Sequence, residues 1–320
     1  MTTIKPTLGI DISKNKFDVA LFINNKLKHK KFPNHLKGHI ALLDWLKHQT
    51  AANVHVCMEA TGSYGEALAE FLYDAGLRIS IVNPGRVKGF AQSEQLRTKT
   101  DKVDAGVIAR FCAALEPAEW QPQPAEIRQL RDLVRRLEAL NGMHQQESNR
   151  LEGAREFIAE QLQEHIDYLN AEIKKVKKMI QQHINNHPDL KQRKALLESI
   201  PGIGEATINV ILSEFANIMQ FKNAKALAAF VGVAPRIRQS GTSLRGRGTM
   251  SKMGRSALRK AFFMPALVSL RHNPIIIELK LRLTAAGKSK MAIVGAAMRK
   301  LIHIIYGVLK NGVPFDEKFA

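Results

Sequence analysis

Asp101 and Asp104 stand three residues apart in the stretch Lys99-Thr100-Asp101-Lys102-Val103-Asp104-Ala105, just ahead of the helical pattern Val107, Ile108, Phe111. With a helix beginning near Thr100, both carboxylates project from one face, one turn apart. Such a pair repels itself unless a cation lies between, and Lys99 and Lys102 keep the neighbourhood attractive to phosphate. Oxygen ligands at this spacing suit Mg²⁺ or Mn²⁺, which take carboxylates, waters and substrate phosphates together. Aspartates at a helix start also cap it or complement its dipole, so the pair alone leaves both readings open. Two further acids join the candidates. Asp11 lies inside the apolar strand Leu8-Gly9-Ile10-Asp11-Ile12, where an aspartate is unfavourable and needs a reason, for which metal is preferred to a turn hydrogen bond. Glu59 closes the strand Val54–Glu59 and reads equally well as a ligand or as an ordinary strand-end acid. Asp18, Glu66 and Asp74 are better explained as solvated.

The other chemistry-bearing stretch runs from Arg236 through Arg238, Ser240, Gly241, Ser243, Arg245 and Gly246 to Arg247 and Gly248. Four arginines and three glycines around small hydroxyls describe a mobile loop that wraps phosphate, because arginine forks pair with phosphate oxygens and glycine permits close backbone approach. Lys252, Arg255, Arg259 and Lys260 continue the basic run. Ser240 is either one more phosphate donor or a nucleophile whose target the arginines polarise. Upstream, Ile200-Pro201-Gly202-Ile203-Gly204 leads into a helix over 206–215 in the manner of a helix-hairpin-helix element. There Gly202 and Gly204 either bring backbone amides to a phosphate or make a tight connection between core helices.

The elements that must position these residues follow from periodicity. Over 7–115 the pattern gives three strands joined by hairpins, the second hairpin turning at Asn24-Asn25, then helix, strand, helix, strand, helix. That is the order of an RNase H-like mixed sheet, whose strand ends gather ligands. Residues 125–187 carry apolar residues at alternating three- and four-residue steps, from Ile127 to Leu137 and from Leu162 to Ile180, a coiled-coil seam with a fold-back near Gly153. Beyond 194 the chain reads as helical and basic. The expected organisation is an α/β domain over 1–118, a coiled-coil oligomerisation segment over 119–190, and an all-α basic domain over 191–320 that carries the serine.

Charge sharpens the functional class. The chain of 320 residues has 48 Lys and Arg against 29 Asp and Glu, a net charge of +19. The excess sits at one end: residues 215–315 hold 18 basic side chains and a single acid, Glu278. A lysine-rich surface made for solubility intersperses acids, so their near absence over a hundred residues points to phosphate contact, nucleic acid above all. No membrane association is expected, since the apolar stretch Met291–Leu309 is interrupted by Arg299, Lys300 and His303. Cys57 and Cys112, the only cysteines, read as buried thiols in a reducing cytosol.

These segments together resemble the DEDD-type transposases of bacterial insertion sequences, described as bridge-RNA-guided recombinases. The likeness is carried by Gly9-Ile10-Asp11 with Phe17-Asp18-Val19, by Glu59-Ala60-Thr61-Gly62-Ser63-Tyr64-Gly65, by Asn83-Pro84 and by Lys99 to Ala105. In the second half it is carried by Ile200 to Gly204, Phe230-Val231-Gly232-Val233-Ala234-Pro235 and Ser240-Gly241. The resemblance implies that Asp11, Glu59, Asp101 and Asp104 are the family's four acids on a RuvC-like domain, binding Mg²⁺ or Mn²⁺, and that Ser240 is its nucleophile. It further implies partners: donor and target DNA, a structured noncoding guide RNA, and further copies of the chain, as a dimer or tetramer paired through the coiled coil. A cytoplasmic, nucleoid-associated recombinase is the expectation. A metal-dependent junction-resolving nuclease, with water in place of the serine, and a non-catalytic nucleic-acid-binding protein are the alternatives.

Overall fold

The computed structural model describes the chain except residues 1–4, 50–52, 61, 63, 96–99, 216, 237–238, 241–243, 246–248, 252 and 319–320. It divides into two compact units, Met1–Pro122 and Gln123–Ala320.

The first unit runs β1 (Thr7–Ile12), β2 (Lys16–Ile23), β3 (Lys26–Pro33), α1 (Leu36–His48), β4 (His55–Glu59), α2 (Glu66–Asp74), β5 (Arg78–Val82), α3 (Pro84–Ser93) and α4 (Asp101–Leu115). The sheet order is β3-β2-β1-β4-β5. Its first three strands are antiparallel, while β1, β4 and β5 run parallel. This matches the element order expected of an RNase H-like sheet, with α3 added after Asn83, whose side chain caps it. Asn24 and Asn25 both take positive φ, at 50° and 60°, as a two-residue hairpin between Ile23 and Lys26 requires.

Strand alternation sorts the side chains onto two faces. Leu8, Ile10, Phe17, Val19, Leu21, Val56, Met58 and Ile79 join Leu42, Leu46, Leu68 and Leu72 of α1 and α2 in one core. On the opposite face Cys57 and Val82 pack with Val87, Val107, Ile108, Phe111 and Cys112 of α3 and α4. Cys57 and Cys112 are buried free thiols, as expected. Beside them Ala20 meets Ala105 and Ala109, all fully buried. Small residues are needed here because α4 lies almost on the backbone of β1. A Cβ on Gly9 would run into the main chain of Ala105 and Ala109. The Thr7 hydroxyl donates to the Ala109 carbonyl at 2.8 Å, pinning strand to helix.

The second unit is helical. A long hairpin, α5 (Ala125–Glu152) and α6 (Glu156–Asn186), turns at Gly153 and returns far enough for the His183 ring to reach the Glu126 carbonyl at 2.7 Å. There follow α7 (Pro188–Glu198), α8 (Glu205–Glu214), a short turn at Ile218–Gln220, and α9 (Ala224–Val231). Next come β6 (Pro235–Arg236), β7 (Gln239–Ser240), β8 (Leu244–Arg245) and β9 (Thr249–Met250). The chain closes with α10 (Ser256–Ala261), α11 (Phe263–His272), α12 (Pro274–Ala285) and α13 (Lys290–Asn311). The hairpin residues Ile127, Leu130, Leu137, Leu140, Leu169, Val176, Ile180 and Ile184 belong to the same core as α7 to α13. The hairpin is therefore anchored in the basic helical unit. By length and composition α13 could cross a membrane, but Val294, Met298, Leu301, Ile302, Ile305 and other residues bury it in this core.

Both tryptophans of the chain, Trp45 and Trp120, fall in the first unit, so their fluorescence follows its unfolding alone. Gly9→Ala should lower its stability by about 3 kcal/mol, because backbone on both sides of the new methyl must move. Gly89→Ala, inside α3 with open space around it, should raise stability by about 0.5 kcal/mol. Urea titration read by tryptophan emission distinguishes the two.

Candidate functional site

Sheet register draws the first acids together. Asp11 on β1 is directly opposite Asp18 on β2, and the parallel pairing of Ile10 with Met58 leads on to Glu59 beside Asp11. All three alternate with residues of the α1 and α2 core, so they share the face covered by α4. That helix starts at Asp101 with Thr100 as its cap, the Thr100 hydroxyl accepting from the Val103 amide at 3.3 Å. The capping role is thus filled by Thr100, and Asp101 and Asp104 occupy the first turn as further negative groups.

Asp11 registers the crowding. Its pKa is pushed up from 3.8 to about 6, first by burial and then by repulsion from Asp104, Asp101, Glu59 and Asp18. Lys16 relieves the outer edge of the group. Its ammonium donates to Asp101 at 2.8 Å, holding that carboxyl below the usual range, and lies 3.6 Å from Asp18. Lys31 approaches Asp18 from the other side, also at 3.6 Å.

Asp18 corrects the sequence reading: expected in solvent, it is only 8% exposed. The signal was available in Phe17, Val19 and Leu21, whose inward alternation turns Asp18 onto the face of Asp11.

The donor set fits a hard divalent cation: carboxylate oxygens only, on rigid elements, with one member raised by burial and by the negative charge around it. Among the described residues, no three His, Cys, Asp or Glu side chains are grouped closely enough to hold an ion together. Asp11, Glu59, Asp101 and Asp104 thus share one end of one face without being drawn into ligating contact.

The loop after Glu59 has its own fastening. Asn34 donates from Nδ2 to the carbonyls of Ser13 and Tyr64, both at 3.0 Å, and its Oδ1 accepts from the buried His39 ring at 3.2 Å. Burial, reinforced by His35, lowers the His39 pKa. A Cβ on Gly65 would sit 2.8 Å from Ile12 Cδ1, so glycine lets this loop rest against the residue after Asp11. Neither Asn34 nor His39 was singled out from the sequence, where a lone polar residue before a helix and a histidine within it give no distinguishing pattern.

In the helical unit the segment around Ser240 is more regular than a wrapping loop. β6 pairs with β9 and β7 with β8, which makes a narrow two-stranded arm, with Gln239 opposite Arg245 and Ser240 opposite Leu244. Ser240 is the last paired residue before the 241–243 connection; the side chains of Ser240 and Arg245 are outside what is described. Arg238, Arg247, Lys252 and Ser243 also lie outside the described residues. The arm's base is closed by the Ser251 amide donating to the Ala234 carbonyl at 2.9 Å. Behind it Gly254 packs backbone to backbone on Gly232 and Phe230, where any Cβ would collide. Gly232, at φ 84°, also ends α9.

The expected phosphate contacts divide into different environments. Arg236 and Lys260 are exposed. Arg255 is committed within the fold, paired with Glu214 at 2.5 Å and lying 5.1 Å from the Phe230 ring centre. Arg259 likewise has partners, and its guanidinium passes beside Gly232. Gly202 takes φ 97° and abuts Ser269, while Ser269 and the buried Asn273 both donate to the Pro201 carbonyl. Its glycine is explained by this seat against α11. Gly204 differs: it precedes α8, and a Cβ there would meet nothing within 4 Å.

Comparisons with known proteins bear on both units. A family model described as transposase, of the DEDD type in the IS110 group, matches residues 8–158. A second, described as transposase of the IS116/IS110/IS902 family, matches residues 194–280. The chain is 35% identical over 317 residues to the pilin gene-inverting proteins of Moraxella lacunata and Moraxella bovis, covering 98% of each chain. It is 24% identical over 301 residues to the transposase for insertion sequence element IS1328 of Yersinia enterocolitica, covering 82% of this chain and 84% of that one.

Two outcomes follow from the geometry. Because Asp11 titrates higher in the folded chain than unfolded, its cost is absent below about pH 4, grows as pH rises, and is complete above about pH 6. Asp11→Asn should therefore match the wild type at pH 4 and exceed it by about 1 kcal/mol at pH 8, a value discounted for the half-exposed carboxyl. Tryptophan-monitored urea unfolding at the two pH values measures it. In the helical unit, Gly202→Ala should cost about 2 to 3 kcal/mol through its positive φ and the clash with Ser269, whereas Gly204→Ala should change stability by about 0.5 kcal/mol or less. Far-ultraviolet circular dichroism during urea unfolding reads both.

Proposed function

The chain belongs to the IS116/IS110/IS902 family of transposases, and on that premise we propose that it exchanges DNA strands through a serine–DNA link, assisted by divalent metal and guided by a structured RNA. The observation that carries this reading is the gathering of Asp11, Glu59, Asp101 and Asp104 at one end of the α4-covered face, with Asp11 raised by burial and by the other acids. Mg²⁺ or Mn²⁺ held by these four acids would neutralise the crowded phosphate and favour ionisation of an attacking hydroxyl.

Ser240 Oγ attacks the phosphodiester, forming a Ser–O–P bond as the bond from phosphorus to the DNA 3′ oxygen breaks. The serine proton leaves to a base, and the departing 3′ oxygen takes up a proton. Attack by a 3′-hydroxyl on the phosphoserine later reverses the exchange, with the bond energy conserved. Reversibility suits a relative of proteins named for inverting a gene, since inversion requires every cut end to be rejoined. Hydrolysis would discard that energy. Arg236, Arg238, Arg245, Arg247, Lys252 and Lys260, with the open amides after Gly204, bind donor and target DNA and the guide RNA. Base pairing by that RNA supplies sequence specificity.

Self-association, as a dimer or tetramer, is assigned to the α5–α6 hairpin acting as a coiled coil. Phe157, Tyr168 and Met179 are 82%, 60% and 43% exposed at eleven-residue intervals, so they lie along one stripe of α6. An apolar stripe of this kind suits another copy of the hairpin.

Incubation with guide RNA, Mg²⁺ and labelled DNA should yield a covalent protein–DNA adduct on a denaturing gel. Ser240→Ala should abolish it, and Asp104→Asn should reduce it by about a hundredfold or more. Free 5′-phosphate ends without an adduct would instead identify a nuclease. An adduct surviving Ser240→Ala would move the nucleophile elsewhere, Ser243 being next in line.

A further inference from the structure

Lys16 opens β2 and reaches across to the first turn of α4, where its Nζ donates to Asp101 Oδ2 at 2.8 Å. The same ammonium lies 3.6 Å from Asp18 Oδ2. Asp18 Oδ1 is in turn approached by Lys31 at 3.6 Å. These contacts have unequal settings. The Asp18 carboxylate is nearly enclosed, whereas Lys16 and Asp101 keep 40% and 56% of their side chains in solvent. Lys31 and Asp18 are partners across the β2–β3 ladder, so their approach follows from the sheet itself. Lys16 and Asp101 are 85 residues apart and meet only because α4 is laid on the sheet. Their pair is therefore the exposed, replaceable member of the network.

We propose that Lys16 is a resident counter-cation: it holds Asp101 while the acids lack a metal, competes with a divalent ion for that carboxylate, and transfers to a nucleic-acid phosphate once the ion binds. This rests on the carboxylate–metal reading above and deepens it by assigning a positioning residue. A divalent ion drawn to the Asp101 carboxylate repels an ammonium seated 2.8 Å from the same group, so binding one weakens the hold of the other. The ammonium, still 3.6 Å from Asp18, then has a free N–H to offer a phosphate oxygen that the ion draws in. The ion and the nucleic acid then favour each other's binding, and the coupling is reciprocal. Before either arrives, Lys16 also keeps the first turn of α4 from being pushed outward by its neighbouring acids.

Mn²⁺ binding to the full-length protein, measured by electron paramagnetic resonance with and without a random-sequence DNA duplex, tests the proposal. Without DNA, Lys16→Met should bind Mn²⁺ about fivefold more tightly than the wild type, while Lys16→Arg, which keeps the charge, should stay near the wild-type affinity. DNA should tighten Mn²⁺ binding in the wild type, and by a smaller factor in Lys16→Met. Equal or weaker Mn²⁺ binding by Lys16→Met would overturn the assignment of Lys16. Asp104→Asn separates the two levels. If it loses Mn²⁺ while Lys16→Met is unchanged, the metal reading stands and the counter-cation falls. If Asp104→Asn binds Mn²⁺ like the wild type, the metal reading itself falls, and the role of Lys16 with it.

Discussion

The approach of α4 to the backbone of β1 governs the first unit. Gly9 leaves no side chain between them, Ala20, Ala105 and Ala109 line the contact, and the Thr7 hydroxyl fixes its register. Helix-on-sheet packing with ordinary side chains would hold the helix farther out. Here the rows of Asp11 and Asp101–Asp104 belong to layers that nearly touch. A methyl at Gly9 would thus move Asp101 and Asp104 relative to Asp11 as well as lower stability, because it lifts the helix that carries them.

That closeness has an electrostatic cost, visible in the raised Asp11 carboxyl. A sequence selected only for stability would place an amide or an apolar residue opposite Asp18. Retaining like charges in a half-buried row makes sense if the charge is compensated by something that binds, and lysines at the rim reduce the repulsion meanwhile. The second unit shows the opposite arrangement. Its surplus is positive, and several cations are already engaged: Arg255 and Arg131 converge on Glu214, which ties α5, α8 and the start of α10 together. Net charge therefore overstates the number of groups available to phosphate.

Much of this architecture was legible in the residues. The Asn24-Asn25 turn, the five strands, the helix beginning after Thr100 and the fold-back at Gly153 each rest on local chemistry that fixes local structure. The placing of Asp11 within a strand, Glu59 at a strand end and Asp101 with Asp104 in one first turn was legible as well. What escaped depended on distant partners. Asp18 was assigned to solvent because its pairing with Asp11 is set by register. Gly202 was open to a phosphate role until its contact with Ser269, 67 positions later, supplied a packing reason. The expected basic loop is a laddered arm. A short stretch rich in glycine and arginine carries too little periodicity to reveal paired strands of two residues each.

The closure of the arm at its root has an evolutionary corollary. Its two ends are joined by the Ser251–Ala234 hydrogen bond and backed by the contact of Gly254 with Gly232, all supplied by residues outside the hairpin ladder. Met250, just inside them, packs on the helical core, but the chain from Arg236 to Thr249 is a cassette. Lengthening or rewriting it adds only a slowly growing loop-closure entropy and leaves the helical core untouched. Lineages, and protein engineers, can rewrite this arginine- and glycine-rich stretch without rebuilding the scaffold that carries it.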